Sequence, residues 1–424
     1  MNCLKNLQAG GMTKYIVPTL RNQVHDEPVP SRAISRAALP VPDDASLAHS
    51  ARTAEYIREV MRSAGGSLSF AEFMQHALYA PGLGYYSAGA AKFGAAGDFV
   101  TAPETSPLFA RVLARQCILV LQALPEPRLL ELGAGSGALA AELLRSLHAH
   151  GVALSSYAIL EVSADLRQRQ EGLLRSTVPE HAEKVEWLHD LPTGFSGVVV
   201  ANEVADALPV ERFQRTRDGV LQHRVVSDED GFSWRRERAP AFLEDAVLHL
   251  EDALGARFPD GYVSEISAGL PAWISDIASS LDRGFVFLFD YGVTRREYYA
   301  KDRRDGWLRC HYRHHAHDNP LIYPGIQDLS AWVDFTAVAE GATNAGMDIR
   351  GFVSQAHFLM NGGLEAELTE FPSLSILAQL EVSRQVKILT LPGEMGEHFK
   401  CIGLSKNQNT IPASFAAFDR THRL

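Results

Sequence analysis

Cysteine is scarce in this chain. There are four in 424 residues, Cys3, Cys117, Cys310 and Cys401. None forms a CxxC pair, which excludes a zinc ribbon or a disulfide framework and fits a reducing compartment. An excess of positive charge is also missing. Forty Lys and Arg stand against 51 Asp and Glu, for a net charge of −11 and a pI near 5.8. That balance excludes a bulk-electrostatic nucleic-acid binder. No apolar run approaches the roughly 18 residues a membrane span needs. Residues 1–45 lack the apolar core of a secretory signal. With Asp26, Glu27, Asp43 and Asp44 they also lack the acid-poor amphipathic pattern of a transit peptide, so the cytoplasm is the expected compartment. What remains is ordinary globular composition, 46% hydrophobic and 21% charged, without an internal repeat.

Regular structure begins near residue 50. Tyr56, Ile57, Val60 and Met61 recur at helical spacing until Gly65-Gly66 stop them. Ser69-Phe-Ala-Glu72 reads as a capping box ahead of a second apolar stripe. Pro107, behind Thr105 and Ser106, suits the first turn of a third helix. Strands then alternate with helices. Leu129–Leu132, Tyr157–Leu160, Val185–Leu188, Gly197–Ala201 and Phe285–Phe289 are the predicted strands, an order that implies a mostly parallel, doubly wound α/β sheet. Asp218-Gly219 and Asp230-Gly231 predict β-hairpins within 210–240. Residues 300–335 read as loop-rich and crowded with His and Arg. Residues 406–424 read as a weakly ordered tail.

The central motif is Leu129-Leu-Glu131-Leu-Gly133-Ala-Gly135-Ser-Gly137, a strand entering a glycine-rich turn before a helix. Such a turn lets a ligand approach the backbone at a helix N-terminus. The spacing also fits the loose dinucleotide fingerprint, so Gly133, Gly135 and Gly137 alone serve either a nicotinamide dinucleotide or S-adenosyl-L-methionine. Glu131 discriminates. A carboxylate there can meet an amino-acid ammonium but would repel a pyrophosphate, a contact worth about 4 kcal/mol in either sign at 4 Å and a dielectric near 20. Glu161, ending the second strand, can accept from two ribose hydroxyls of either cofactor. Asp190, ending the third, is a candidate for adenine. S-adenosyl-L-methionine is the favoured cofactor.

The fourth strand runs into Ala201-Asn202-Glu203-Val-Ala-Asp206-Ala-Leu-Pro209. In an open α/β sheet ligands lie beyond the carboxyl ends of the strands, so Asn202, Glu203 and Asp206 would line the transfer site. If a helix starts here, the two acids share one face. Paired carboxylates match the planar fork of a guanidinium, which suggests an arginine acceptor. The alternative is that Asp206 caps a helix and Glu203 is solvated.

On several stretches the chain resembles the MidA family of class I methyltransferases, which includes a mitochondrial protein arginine methyltransferase that assembles respiratory complex I. The likeness rests on Tyr79–Tyr86, Gly97–Glu104, the Glu131–Gly137 loop, Asn202–Pro209, Phe289-Asp-Tyr-Gly292 and His317–Phe335. It implies a Rossmann-like class I methyltransferase sheet with an N-terminal helical extension and a β-hairpin insertion. The implied reaction is symmetric dimethylation of an arginine on a complex I core subunit, with the mitochondrial matrix the compartment in a eukaryote. Gly97, Asp98 and Glu104 would belong to a lid over the cofactor, or else to an N-cap and turn. Trp307, His311 and Trp332 depart from the family pattern, in the segment expected to touch substrate. The resulting expectation is a flexible arm (1–49), a helical extension with lid (50–126), a methyltransferase domain (127–405, with a hairpin insertion at 210–240 and a substrate loop at 300–335) and a tail (406–424). A methyltransferase acting on another nucleophile, and a non-catalytic cofactor-binding assembly factor, are the rivals. A metal at His311, His314, His315 and His317 would need convergent ligands with carboxylate or thiolate support, and the family pattern implies none, so no metal is expected.

Overall fold

The structure, a computed structural model, describes residues 39–88 and 101–424. These fall into two compact, interleaved units. One comprises residues 39–88, 207–269 and 295–331; the other comprises 101–206, 270–294 and 332–424.

The second unit is built on a mixed sheet. Its strands are β1 Arg128–Leu132, β2 Ser156–Leu160, β3 Val185–Leu188, β4 Phe195–Asn202, β5 Leu281–Val293, β6 Asp348–Ser354 and β7 Phe399–Lys406. Their order is 3-2-1-4-5-7-6. Strands β1 to β5 pair in parallel, and β7 runs antiparallel between β5 and β6. The central strands are covered on both faces, so Val198, Val199 and Val200, and Phe285 to Phe289, are all buried rather than alternating. The helices α1 Ala102–Thr105, α2 Pro107–Leu121, α3 Ala138–Ala149 and α4 Ala164–Thr177 lie along the first half of this unit. Helix α2 starts where Pro107 predicts, with Ser106 Oγ accepting from Leu108 N.

Strands β6 and β7 escape the periodicity because glycines interrupt them. Gly351 and Gly403 are required by packing: a Cβ on either would come within 2.4 and 2.7 Å of the Phe415 ring. Phe415 also lies against Phe285, Phe287 and Phe358. The expectation of a weakly ordered tail is therefore corrected. Ser414 N donates to Gln116 Oε1 at 3.1 Å, and Asp419 Oδ1 accepts from Phe352 N at 2.8 Å.

Among the described residues, the first helix of the other unit is Asp44–Ser63, capped by Asp43 and ended before Gly65-Gly66. The Ser69–Glu72 capping box forms as read. The predicted hairpins, Glu211–Thr216, Gly219–Asp228 and Gly231–Arg238, join Leu68–Ser69 and Tyr262–Ile266 in a five-stranded antiparallel sheet. Residues 300–335 are more regular than their composition suggests. Leu308–Tyr312 pairs with His315–His317 and Asp328–Ala331.

Candidate functional site

The glycine turn leaves the end of β1. Gly133, Gly135 and Gly137 adopt φ of 64°, 54° and 86°, a region side chains avoid. A Cβ at Gly133 would lie 3.2 Å from Val204, and one at Gly137 would lie 3.3 Å from Gln170. The turn is thus closed against the acidic segment on one side and α4 on the other, leaving bare backbone at the α3 N-terminus.

Glu131 is buried, and its Oε2 accepts from Tyr157 OH at 2.6 Å. Burial raises its carboxyl to about 7; the Tyr157 hydrogen bond opposes this and nearby Glu161 adds to it. Such a group is neutral or half-ionised until a cation arrives, which suits an ammonium ligand. Glu161 Oε1 accepts from Ser163 N and its Oε2 from Gln170 Nε2, both at 2.9 Å. Its carboxylate is therefore fixed at the tip of β2. The sequence reading missed Gln170, which is fully buried. Its Nε2 also donates to Gly135 O, and its Oε1 accepts from Trp187 Nε1, both at 2.9 Å. One amide therefore ties together the glycine turn, Glu161 and β3. The signal was present: Gln170 stands between Leu166 and Leu174 in the apolar stripe of α4, where a polar residue needs a reason. Asp190 is exposed just beyond β3. Gly97 and Asp98 lie outside the described residues. Glu104 accepts from Thr101 N at 3.4 Å, capping α1.

The acidic segment follows β4. No helix begins there, so the face that a helix start would give Glu203 and Asp206 is replaced by a turn. The cause is Asp290 on β5. Its fully buried Oδ2 accepts from Ala205 N at 2.9 Å and Asp206 N at 3.2 Å. Glu203 sits at φ 55°, an uncommon state for a non-glycine residue and one found often at active sites. Its carboxyl receives Asn202 Nδ2 at 3.2 Å, Tyr291 OH at 3.4 Å and the backbone N–H of Ala102. Enclosure first, then the charges of Asp206 and Glu104, push it up to about 8. Asp206 is buried nearby. Asn202 Nδ2 is committed to Glu203, while its Oδ1 is buried without a hydrogen-bond donor. The set presents a glycine cradle, an ammonium-matched acid, a ribose-matched acid and an orphaned acceptor, and so fits S-adenosyl-L-methionine.

Residues 300–335 carry no comparable chemistry. His317 is buried, and burial lowers His311 to about 4, which keeps it neutral. Burial drives the Cys310 thiol far upward, away from a nucleophile. Among the described residues no three His, Cys, Asp or Glu converge as a metal site.

Known proteins share this framework. A family model described as "Putative S-adenosyl-L-methionine-dependent methyltransferase" matches residues 112–353, more than half the chain. A protein from Burkholderia thailandensis, crystallised with S-adenosyl-homocysteine, is 41% identical, covers 91% of this chain and 100% of its own, and superposes with a TM-score of 0.85. Protein arginine methyltransferase NDUFAF7, mitochondrial, of Danio rerio is 30% identical over 80% of this chain and 83% of its own length. The human protein of that name is 28% identical over 81% of each. The relatives' names favour the mitochondrial alternative and lend the cytoplasmic expectation no support. With its cofactor cradle and these matches together, the chain belongs to the MidA-like family of S-adenosyl-L-methionine-dependent methyltransferases.

Proposed function

We propose that this methyltransferase acts on a protein arginine, with Glu203 and Asp206 receiving the guanidinium. The observation that carries the reading is the acid turn, where Glu203 is half-buried and Asp206 buried. Glu203 is held at φ 55° beside Asp206, and Val204 between them touches the glycine cradle. Two carboxylates there match a bidentate cation and disfavour an anionic acceptor. The cofactor supplies an activated methyl on a sulfonium. Glu131 takes the ammonium, Glu161 the ribose hydroxyls, and the backbone at Gly133 to Gly137 the remainder. Asp190, Gly97, Asp98 and Glu104 complete the proposed cofactor shell. Asn202 Oδ1 offers its free lone pairs to an N–H of the acceptor. As the nitrogen–carbon bond forms and the carbon–sulfur bond breaks, the acceptor nitrogen must lose a proton. Glu203, with a value of about 8 near operating pH, is suited to take it.

The family resemblance and the relatives' names support a finer reading. The acceptor protein would be a core subunit of respiratory complex I, and the product symmetric dimethylarginine. The enzyme then works where complex I is assembled, in the mitochondrial matrix of a eukaryote or the cytoplasm of a bacterium. The direct test is Glu203→Gln. This neutral isostere is expected to keep S-adenosyl-homocysteine affinity by calorimetry and to lose on the order of 10²-fold or more in transfer rate. Wild-type turnover in that variant would remove the acceptor assignment.

A further inference from the structure

Glu203 does not hold its left-handed backbone unaided. Three consecutive residues of β5 each grip the acid turn, by three different groups. Phe289 O accepts from Glu203 N at 2.9 Å, one residue beyond the Phe289–Asn202 pairing that ends the parallel ladder. Asp290 Oδ2 takes the N–H groups of Ala205 and Asp206, while its Oδ1 takes that of Tyr291 at 2.9 Å. Tyr291 OH reaches Glu203 Oε2 itself, at 3.4 Å. The Tyr291 ring is fixed in turn against Phe399 of β7, with centroids 4.0 Å apart.

We infer that Phe289-Asp290-Tyr291 is the template that sets Glu203 for catalysis, and that Tyr291 is a positioning residue whose hydroxyl orients and favours the Glu203 carboxylate. This rests on the acceptor role proposed for Glu203. The division of labour follows from the contacts. Phe289 and Asp290 fix the backbone of the turn, a role in folding as much as in function. The hydroxyl of Tyr291 is different: removing it leaves the ring on Phe399 and the β5 ladder intact. Its contact with a carboxylate oxygen bears on the orientation and charge of that carboxylate.

The groups facing Glu203 set the direction of the effect. Asp206 on the same turn, Glu104 on α1 and Asp290 on β5 oppose its ionisation; Asn202 and the Ala102 N–H favour it. The Tyr291 hydroxyl, a donor 3.4 Å from Oε2, acts in the same direction, because a hydrogen bond to the charged form favours that form. Loss of the Tyr291 hydroxyl therefore moves Glu203 ionisation to higher pH.

The test is the pH profile of kcat/KM for the full-length wild type, Tyr291→Phe and Asp290→Asn, with S-adenosyl-homocysteine affinity measured alongside. Wild type should show an alkaline-rising limb that is absent in Glu203→Gln. In Tyr291→Phe that limb should move up by about half a unit or more, and kcat/KM near neutrality should fall roughly 3- to 10-fold, with product affinity unchanged. Asp290→Asn should lose transfer more severely; should it fail to fold, Tyr291→Phe still decides. A wild-type limb that Tyr291→Phe leaves in place, with kcat/KM unchanged, overturns the template role alone. A wild type without any limb that depends on Glu203 overturns the acceptor reading and this inference with it.

Discussion

At the scale of single residues, the proposed chemistry rests on acids kept out of their ordinary range. Glu131 stands at about 7 and Glu203 at about 8, both raised from 4.5 by burial first. A carboxyl raised in the folded state binds protons that the unfolded chain releases. Its stabilising effect is full below about pH 4.5 and is lost as pH climbs through 7 to 8. The ligand-free protein should therefore melt at progressively lower temperature between pH 6 and 9. In the proposed site S-adenosyl-homocysteine brings an ammonium to Glu131, which should offset part of that loss. Its affinity should rise as pH passes about 7, with net proton release visible by calorimetry in buffers of different ionisation enthalpy. Proton uptake on binding would contradict the assignment of Glu131. Glu161→Ala, which removes a charged acceptor for two hydroxyls, should weaken cofactor binding by about 10- to 100-fold and leave melting of the ligand-free protein within a few degrees.

At the scale of elements, the site is made where strands end. The glycine turn closes β1, Glu161 closes β2 and Asn202-Glu203 closes β4, so the switch between β1 and β4 gathers them. Those parts were legible in the sequence because each sits at a strand end that an apolar run announces. Others were not. Gln170 and Asp290 act through hydrogen bonds to groups 35 and 85 residues away, which no local pattern encodes. The turn after β4, where the sequence left a helix start open, has its geometry imposed by Asp290 and not by its own propensities. Strands β6 and β7 were hidden by glycines that exist to admit Phe415. Gly137→Ala tests the turn itself. It adds a Cβ at φ 86°, 3.3 Å from Gln170, and should cost about 1–3 kcal/mol of strain and abolish tight cofactor binding. Equal affinity in that variant would mean that the cradle is not built as described.

At the scale of the whole molecule, the chain passes repeatedly between two compact units, and its last residues return to the core of the parallel-sheet unit. Phe415 is 4% exposed among aromatic neighbours, so Phe415→Ala should cost about 3–5 kcal/mol, read as a lower midpoint in denaturant. A change below about 1 kcal/mol would return the tail to the surface role its composition suggests. The central claim, that this family member methylates protein arginine, calls for a chemical readout. Purified protein and methyl-tritiated S-adenosyl-L-methionine are incubated with lysate from cells lacking the gene, and each labelled band is hydrolysed. The account predicts a discrete labelled protein that yields symmetric dimethylarginine and is lost with Glu203→Gln. Label recovered only in small molecules or in another amino acid, from protein that binds the cofactor normally, would contradict it.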